Sequence, residues 1–132
     1  MWREDLQENR RREVGEEEPD KKDSIKELGS LVMDQGNYDE AELLYREALE
    51  GNRRVRGDEH YDTLMTIDGL GVALENQRQF AEAESLMLEA MMGCRRTLGD
   101  EHPDTLISIG LMGGLFQTQG KLDEAEPLLR EA

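Results

Sequence analysis

The sequence predicts an all-α fold, an α-solenoid of antiparallel helix pairs. Three observations lead there. Segments of the chain recur at one fixed offset from end to end. Within each recurrence the apolar residues fall at helical spacing. Short polar or glycine-containing breaks divide each recurrence in two. Such a period means one supersecondary unit copied in tandem, each with an apolar face that only a stacked neighbour buries.

The offset is read directly. Gly57-Asp58-Glu59-His60 returns forty-two residues later as Gly99-Asp100-Glu101-His102, and Asp62-Thr63-Leu64 as Asp104-Thr105-Leu106. Ile25, Leu28 and Gly29 precede Ile67, Leu70 and Gly71 at the same offset, and Gly71 precedes Gly113. Glu40-Ala41-Glu42 precedes Glu82-Ala83-Glu84, and Ala83-Glu84 returns as Ala125-Glu126. Arg11-Arg12 and Gly15-Glu16-Glu17 align with Arg53-Arg54 and Gly57-Asp58-Glu59. The chain therefore divides into the remnant of a preceding repeat over 1–20, repeats over 21–57 and 58–99, and a truncated repeat over 100–132. The remnant carries Trp2 and Leu6 four residues apart, which predicts a short helix over about residues 2–13 packed on the first repeat.

The middle unit shows how each repeat reads. Leu64, Ile67, Leu70 and Leu74 put a first helix between about His60 and Gln77, with Asp62 or Thr63 near its start as a cap or dipole partner. Ala83, Leu86, Met87, Ala90 and Met91 form the stripe of a second helix from about Phe80 to Thr97. The breaks Gln35-Gly36-Asn37, Gln77-Arg78-Gln79 and Gln119-Gly120-Lys121 suit left-handed helix ends. Pro103 suits a first helical turn, where no N–H is needed. Gly29, Gly71 and Gly113 let the second helix approach the first closely. On that second helix a large residue stands between two alanines: Tyr45 between Ala41 and Ala48, Met87 between Ala83 and Ala90, Leu129 between Ala125 and Ala132. Met87 and Met91 read as core, Met92 as exposed.

These residues carry a family likeness. Ile25-x-x-Leu28-Gly29-x-x-Val32, then Tyr38 and Ala41-x-x-x-Tyr45-x-x-Ala48, resembles a tetratricopeptide repeat. The longer unit, with Gly-Asp-Glu-His-Pro-Asp-Thr-Leu between helix pairs, is similar to the extended repeats of kinesin light chain. Ile stands for the family's Trp, Val32 or Leu74 for its Tyr, and Arg53 or Arg95 for its final Pro. The resemblance implies a right-handed superhelix whose first helices line a concave groove, and a non-catalytic scaffold holding a peptide or helix of a partner. Kinesin-light-chain-like grooves often present an Asn-Asn pair before Leu-Gly. Here those places hold Lys26-Glu27, Asp68-Gly69 and Gly110-Leu111. The alternative role is a structural, self-associating segment of a larger multidomain or kinesin-light-chain-like protein.

Charge and composition narrow the partners. The 132 residues hold 31 Asp and Glu against 16 Lys and Arg, a net charge of −15. Nucleic-acid binding rests on cations that neutralise phosphates, and docking on anionic lipid needs the same sign, so neither partner is expected. No apolar run approaches the roughly 20 residues of a membrane span, and no leader-like segment opens the chain. A cytoplasmic protein is expected. Cys94 is the single cysteine, which excludes an internal disulfide. Arg95 and Arg96 beside it are placed to lower its pKa, but no base or resolving thiol accompanies it, so it reads as an incidental thiol. His60 and His102 stand a full unit apart at equivalent places, too far to converge on a metal or substrate, and read as helix-start residues. No catalytic, cofactor or metal residue is assigned, and no enzyme activity. The Arg53-Arg54 and Arg95-Arg96 pairs read as partners for acidic linkers of adjacent units rather than as a basic stripe.

The groove set follows from the helix wheel. Away from the second helices should point Lys26, Ser30 and Met33, then Asp68, Val72 and Glu75, then Gly110, Gly114 and Gln117. This face suits an apolar or basic segment of a protein partner. Gly69, Gly110 and Gly114 inside first helices cost about 1 kcal/mol each, which makes the third unit the softest. Leu122, Leu128 and Leu129 of the last helix are expected to face solvent, an edge open to self-association.

Overall fold

The computed structural model describes residues 19–132. The predicted remnant over 1–20 and its helix over 2–13 lie outside these residues, save for Pro19 and Asp20. The described chain is a right-handed α-solenoid of six helices: α1 Pro19–Asp34, α2 Tyr38–Arg56, α3 Tyr61–Asn76, α4 Phe80–Leu98, α5 Pro103–Thr118 and α6 Leu122–Glu131. Each helix packs on the next. The first helices α1, α3 and α5 also pack against their equivalents in the adjacent pair, whereas the backbones of α2, α4 and α6 stand farther apart and are linked by ion pairs of long side chains. Close spacing on one side and splaying on the other bends the stack, with α1, α3 and α5 on the inner face.

The ends of the helices have local causes. Three turns close α1, α3 and α5 by the same pair of hydrogen bonds: Asn37, Gln79 and Lys121 donate back to Val32, Leu74 and Phe116, while Gly36, Arg78 and Gly120 donate to Met33, Glu75 and Gln117. The central residue is left-handed in each, with φ of 80°, 64° and 77°. Glycine takes that conformation freely and Arg78 does so at a cost of about 1 kcal/mol. The predicted caps need correction. His60 and His102, not Asp62 or Thr63, cap α3 and α5: each Nδ1 accepts the N–H two residues on, from Asp62 and Asp104, at 3.0 Å. Thr63 instead buries its hydroxyl, which donates to the Gly57 carbonyl at 2.7 Å.

The expected small-against-large packing is present. A Cβ added at Gly29 would lie 3.1 Å from the Tyr45 ring, at Gly71 2.8 Å from Met87, and at Gly113 3.0 Å from Leu129. At the other end of the pair the roles reverse, with Gly93 of α4 lying over Leu64 of α3. Leu64, Ile67, Leu70, Leu74, Met87, Ile109 and Leu115 form the buried centre, Met91 joins it, and Met92 is exposed. Leu122 and Leu129 face solvent as expected, but Leu128 is half-buried against the core.

Candidate functional site: the inner face of the first helices

The inner face is built on α3 and α5, whose side-by-side contact is tied at two points. Ser108 Oγ donates to Asp68 Oδ2 at 2.7 Å, and Thr118 Oγ1 donates to Glu75 Oε2 at 2.9 Å. Both bonds cross from one pair to the next, so they fix the floor between the units. Val72 lies between Asp68 and Glu75 on the same helical stripe and is half-buried. At the equivalent place on α5, Gly114 has open space where a Cβ would be, which bares the backbone there.

The expected groove residues are only partly brought together. Ser30 and Gln117 are exposed, and Met33, Val72 and Glu75 are half-buried. Asp68 is not an open groove residue. It is 6% exposed, closed over by α5, because Ser108 rather than solvent takes its carboxylate. Gly110 offers less bare backbone than its sequence suggests, since a Cβ there would come within 3.3 Å of Ala132 on the end of α6. The side chain of Lys26 lies outside the described residues. Two residues were missed: Met65, half-buried, and Ile107, 58% exposed. They occupy equivalent places three residues before Asp68 and Gly110, so the same i, i+3 spacing extends the stripe to them.

Charge elsewhere is spent within the array. Arg53 binds Glu89 through two bonds of 2.8 and 3.0 Å and also reaches Asp58, and Arg95 does the same with Glu131 and Asp100. Arg96 returns to Glu59, Arg46 joins Glu42 to Glu82, and Arg56 pairs with Asp62. Arg53, Arg95 and Arg96 thus pair with carboxylates of the linkers and of neighbouring units, as the sequence suggested. Cys94 is the incidental thiol its sequence setting suggested, and the neighbouring arginines do not lower its pKa. It is fully buried, and loss of water together with the Asp68 carboxyl pushes its thiol up to about 11, the opposite of an activated cysteine. Among the described residues no group of three or more His, Cys, Asp and Glu is placed to hold a metal ion, and no helix is long and apolar enough to cross a membrane.

Comparison with known proteins fits this architecture. The tetratricopeptide repeat family matches residues 23–91 and 64–132. Among solved structures, repeats of kinesin light chain type from Podosopora anserina, described as nearly identical TPR-like repeats, align with 27% identity and a TM-score of 0.80 over 87% of this chain and 55% of theirs. A point variant of those same repeats aligns at 26% identity and a TM-score of 0.75, over 82% of this chain and 51% of that one. BtubC (BKLC) from P. vanneervenii, at 21% identity and a TM-score of 0.78, shares the fold over 86% of this chain and 45% of its own. The chain thus spans about half the length of these structures. No curated protein matches the sequence. With matches that together run from residue 23 to residue 132, the chain belongs to the tetratricopeptide repeat family.

Proposed function

We propose that this chain is a non-catalytic, cytoplasmic scaffold, in three units over 21–57, 58–99 and 100–132, that holds a peptide or helix of a partner protein on its inner face. The observation that carries the reading is the α3–α5 floor. Val72 offers apolar surface, Ile107 extends it, and Gly114 bares backbone that a partner can approach closely. The surrounding charge of −15 favours a segment that is apolar or basic. The family likeness supports a protein partner in general terms.

The test is selection of displayed short peptides on the immobilised full chain, repeated with Val72→Asp and Gly114→Trp. The reading expects apolar, Lys- or Arg-rich peptides whose affinity falls about tenfold or more on both variants, the effect of losing roughly 1.4 kcal/mol. Peptides that bind both variants as well as the parent, or no selected peptide at all, would overturn it. A structural, self-associating role is favoured by one separate feature. Leu122 and Leu129, 63% and 42% exposed, flank a cavity of about 350 Å³ between α5 and α6, also lined by Gln117 and Arg130. Concentration-dependent sedimentation abolished by Leu129→Lys would support that role instead.

A further inference from the structure

Asp68 is the one place where an inter-unit contact is built on a buried carboxyl among the described residues. Its Oδ2 accepts from Ser108, and its Oδ1 is buried without a hydrogen-bond partner. A carboxylate so placed lacks both water and a counter-charge, and burial of that kind favours the neutral form. The groups around it do not compensate. From α4 comes the buried thiol of Cys94, and from α5 come Ser108 and, a turn away, the like charge of Asp104. From α2 comes the Tyr45 ring, seated against the adjacent Gly69. On α3 itself, Asp62 is held by Arg56 and Glu75 by Thr118. No cation among the described residues reaches Asp68.

The preceding interface solves the same problem differently. There the equivalents of Cys94 and Ser108 are Asn52 and Thr66, and Asn52 Nδ2 donates to Thr66 Oγ1 at 3.2 Å. That pair is neutral at every ordinary pH. The carboxyl at the α3–α5 joint is thus a local departure, with Lys26 and Gly110 at its equivalent positions.

We propose that the α3–α5 joint is proton-gated: the two helices stay closed while Asp68 carries a proton, and the joint opens more readily once the carboxyl ionises. The inference does not depend on what the groove holds. Desolvation raises Asp68 to about 7, against a partial opposing pull from the Ser108 hydrogen bond. The closed joint therefore binds the proton more tightly than the open one, where the carboxyl titrates near 4. The stabilisation is fully present below that value and is lost as pH rises through about 7. Because the same two helices form the groove floor, opening also strains the Glu75–Thr118 bond.

Hydrogen exchange on the full chain, corrected for intrinsic rates, tests this at pH 5.5, 6.5 and 7.5. Protection of α5 is expected to fall about eightfold over the first step and about threefold over the second. Asp68→Asn should flatten both steps, and Ser108→Ala should keep them, since the carboxyl remains. In parallel, carboxyl ¹³C NMR of the parent chain should show Asp68 titrating near neutrality. An Asp68→Asn chain with the parent's pH dependence overturns the proposal. So does an Asp68 signal that titrates near pH 4, the ordinary value of an aspartate in water, a readout that stands even where the variant fails to fold.

Discussion

Gly69 and Gly114 both interrupt a first helix, yet the same added methyl group should act on them with opposite sign. A Cβ at Gly69 would overlap Cε1 of Tyr45 and lie 2.7 Å from its Cζ, with the ring pinned between Gly29 and Gly69. Overpacking of that kind costs about 1–3 kcal/mol, which outweighs the ~1 kcal/mol that alanine gains in helix propensity. At Gly114 nothing lies within 4 Å, so only the propensity gain remains. Urea denaturation should therefore find Gly69→Ala destabilised by up to about 2 kcal/mol and Gly114→Ala stabilised by about 1 kcal/mol. Equal shifts of one sign would contradict the packing. The next interface supports the reasoning: where Met87 replaces Tyr45, Leu111 stands in the place of Gly69 and packs on the core. Propensity alone assigns every helical glycine the same cost. The sequence shows the glycines but not the ring, twenty-four residues away, that makes one of them necessary.

Periodicity made the helices and their pairing legible, because each unit repeats its apolar stripe in register and the stripe needs no long-range knowledge. The helix wheel likewise put Asp68, Val72 and Glu75 on one stripe. It could not show that α5 closes over Asp68, since that depends on Ser108 of another unit reaching it. The caps were missed for a related reason: Asp62 and Thr63 are stronger capping types than histidine, yet the chain enters each helix with the imidazole one residue ahead. The arginine ladder was legible from its spacing. Its energetic weight is testable on the element that carries it. A double-mutant cycle of Arg53→Ala with Glu89→Gln should give a coupling of about 0.5–1 kcal/mol, as both side chains are about one-third exposed and salt screens the pair. Zero coupling in low salt would reduce the ladder to decoration. On α6, Pro127 sits inside the helix, where it removes a backbone donor, and only Ala125 of that helix is buried. Pro127→Ala should raise hydrogen-exchange protection across α6 while leaving α3 unchanged.

A stack in which each unit touches only its neighbours unfolds as a one-dimensional array, so stability is set by local interfaces rather than by one central nucleus. On that basis α3 and α4, packed on both sides and holding most of the fully buried residues, should exchange slowest, and α6 fastest. Net charge acts on the whole stack at once. Fifteen uncompensated negative charges repel along its length, and the inter-unit arginine pairs offset this only locally. Added salt weakens both effects, but unequally. Exposed pairs are worth at most about 1 kcal/mol each, and the shortest contacts are screened least, whereas repulsion between distant carboxylates is largely removed once the screening length falls to about 8 Å. The melting temperature should therefore rise as NaCl increases from low ionic strength to about 0.15 M, the concentration at which that length is reached. The rise should be larger at pH 8 than at pH 5.5, where Asp68 is protonated. Circular dichroism melts across that grid measure it directly. A melting temperature that falls with salt at both pH values would mean that the arginine ladder, not the net charge, governs how the units hold together.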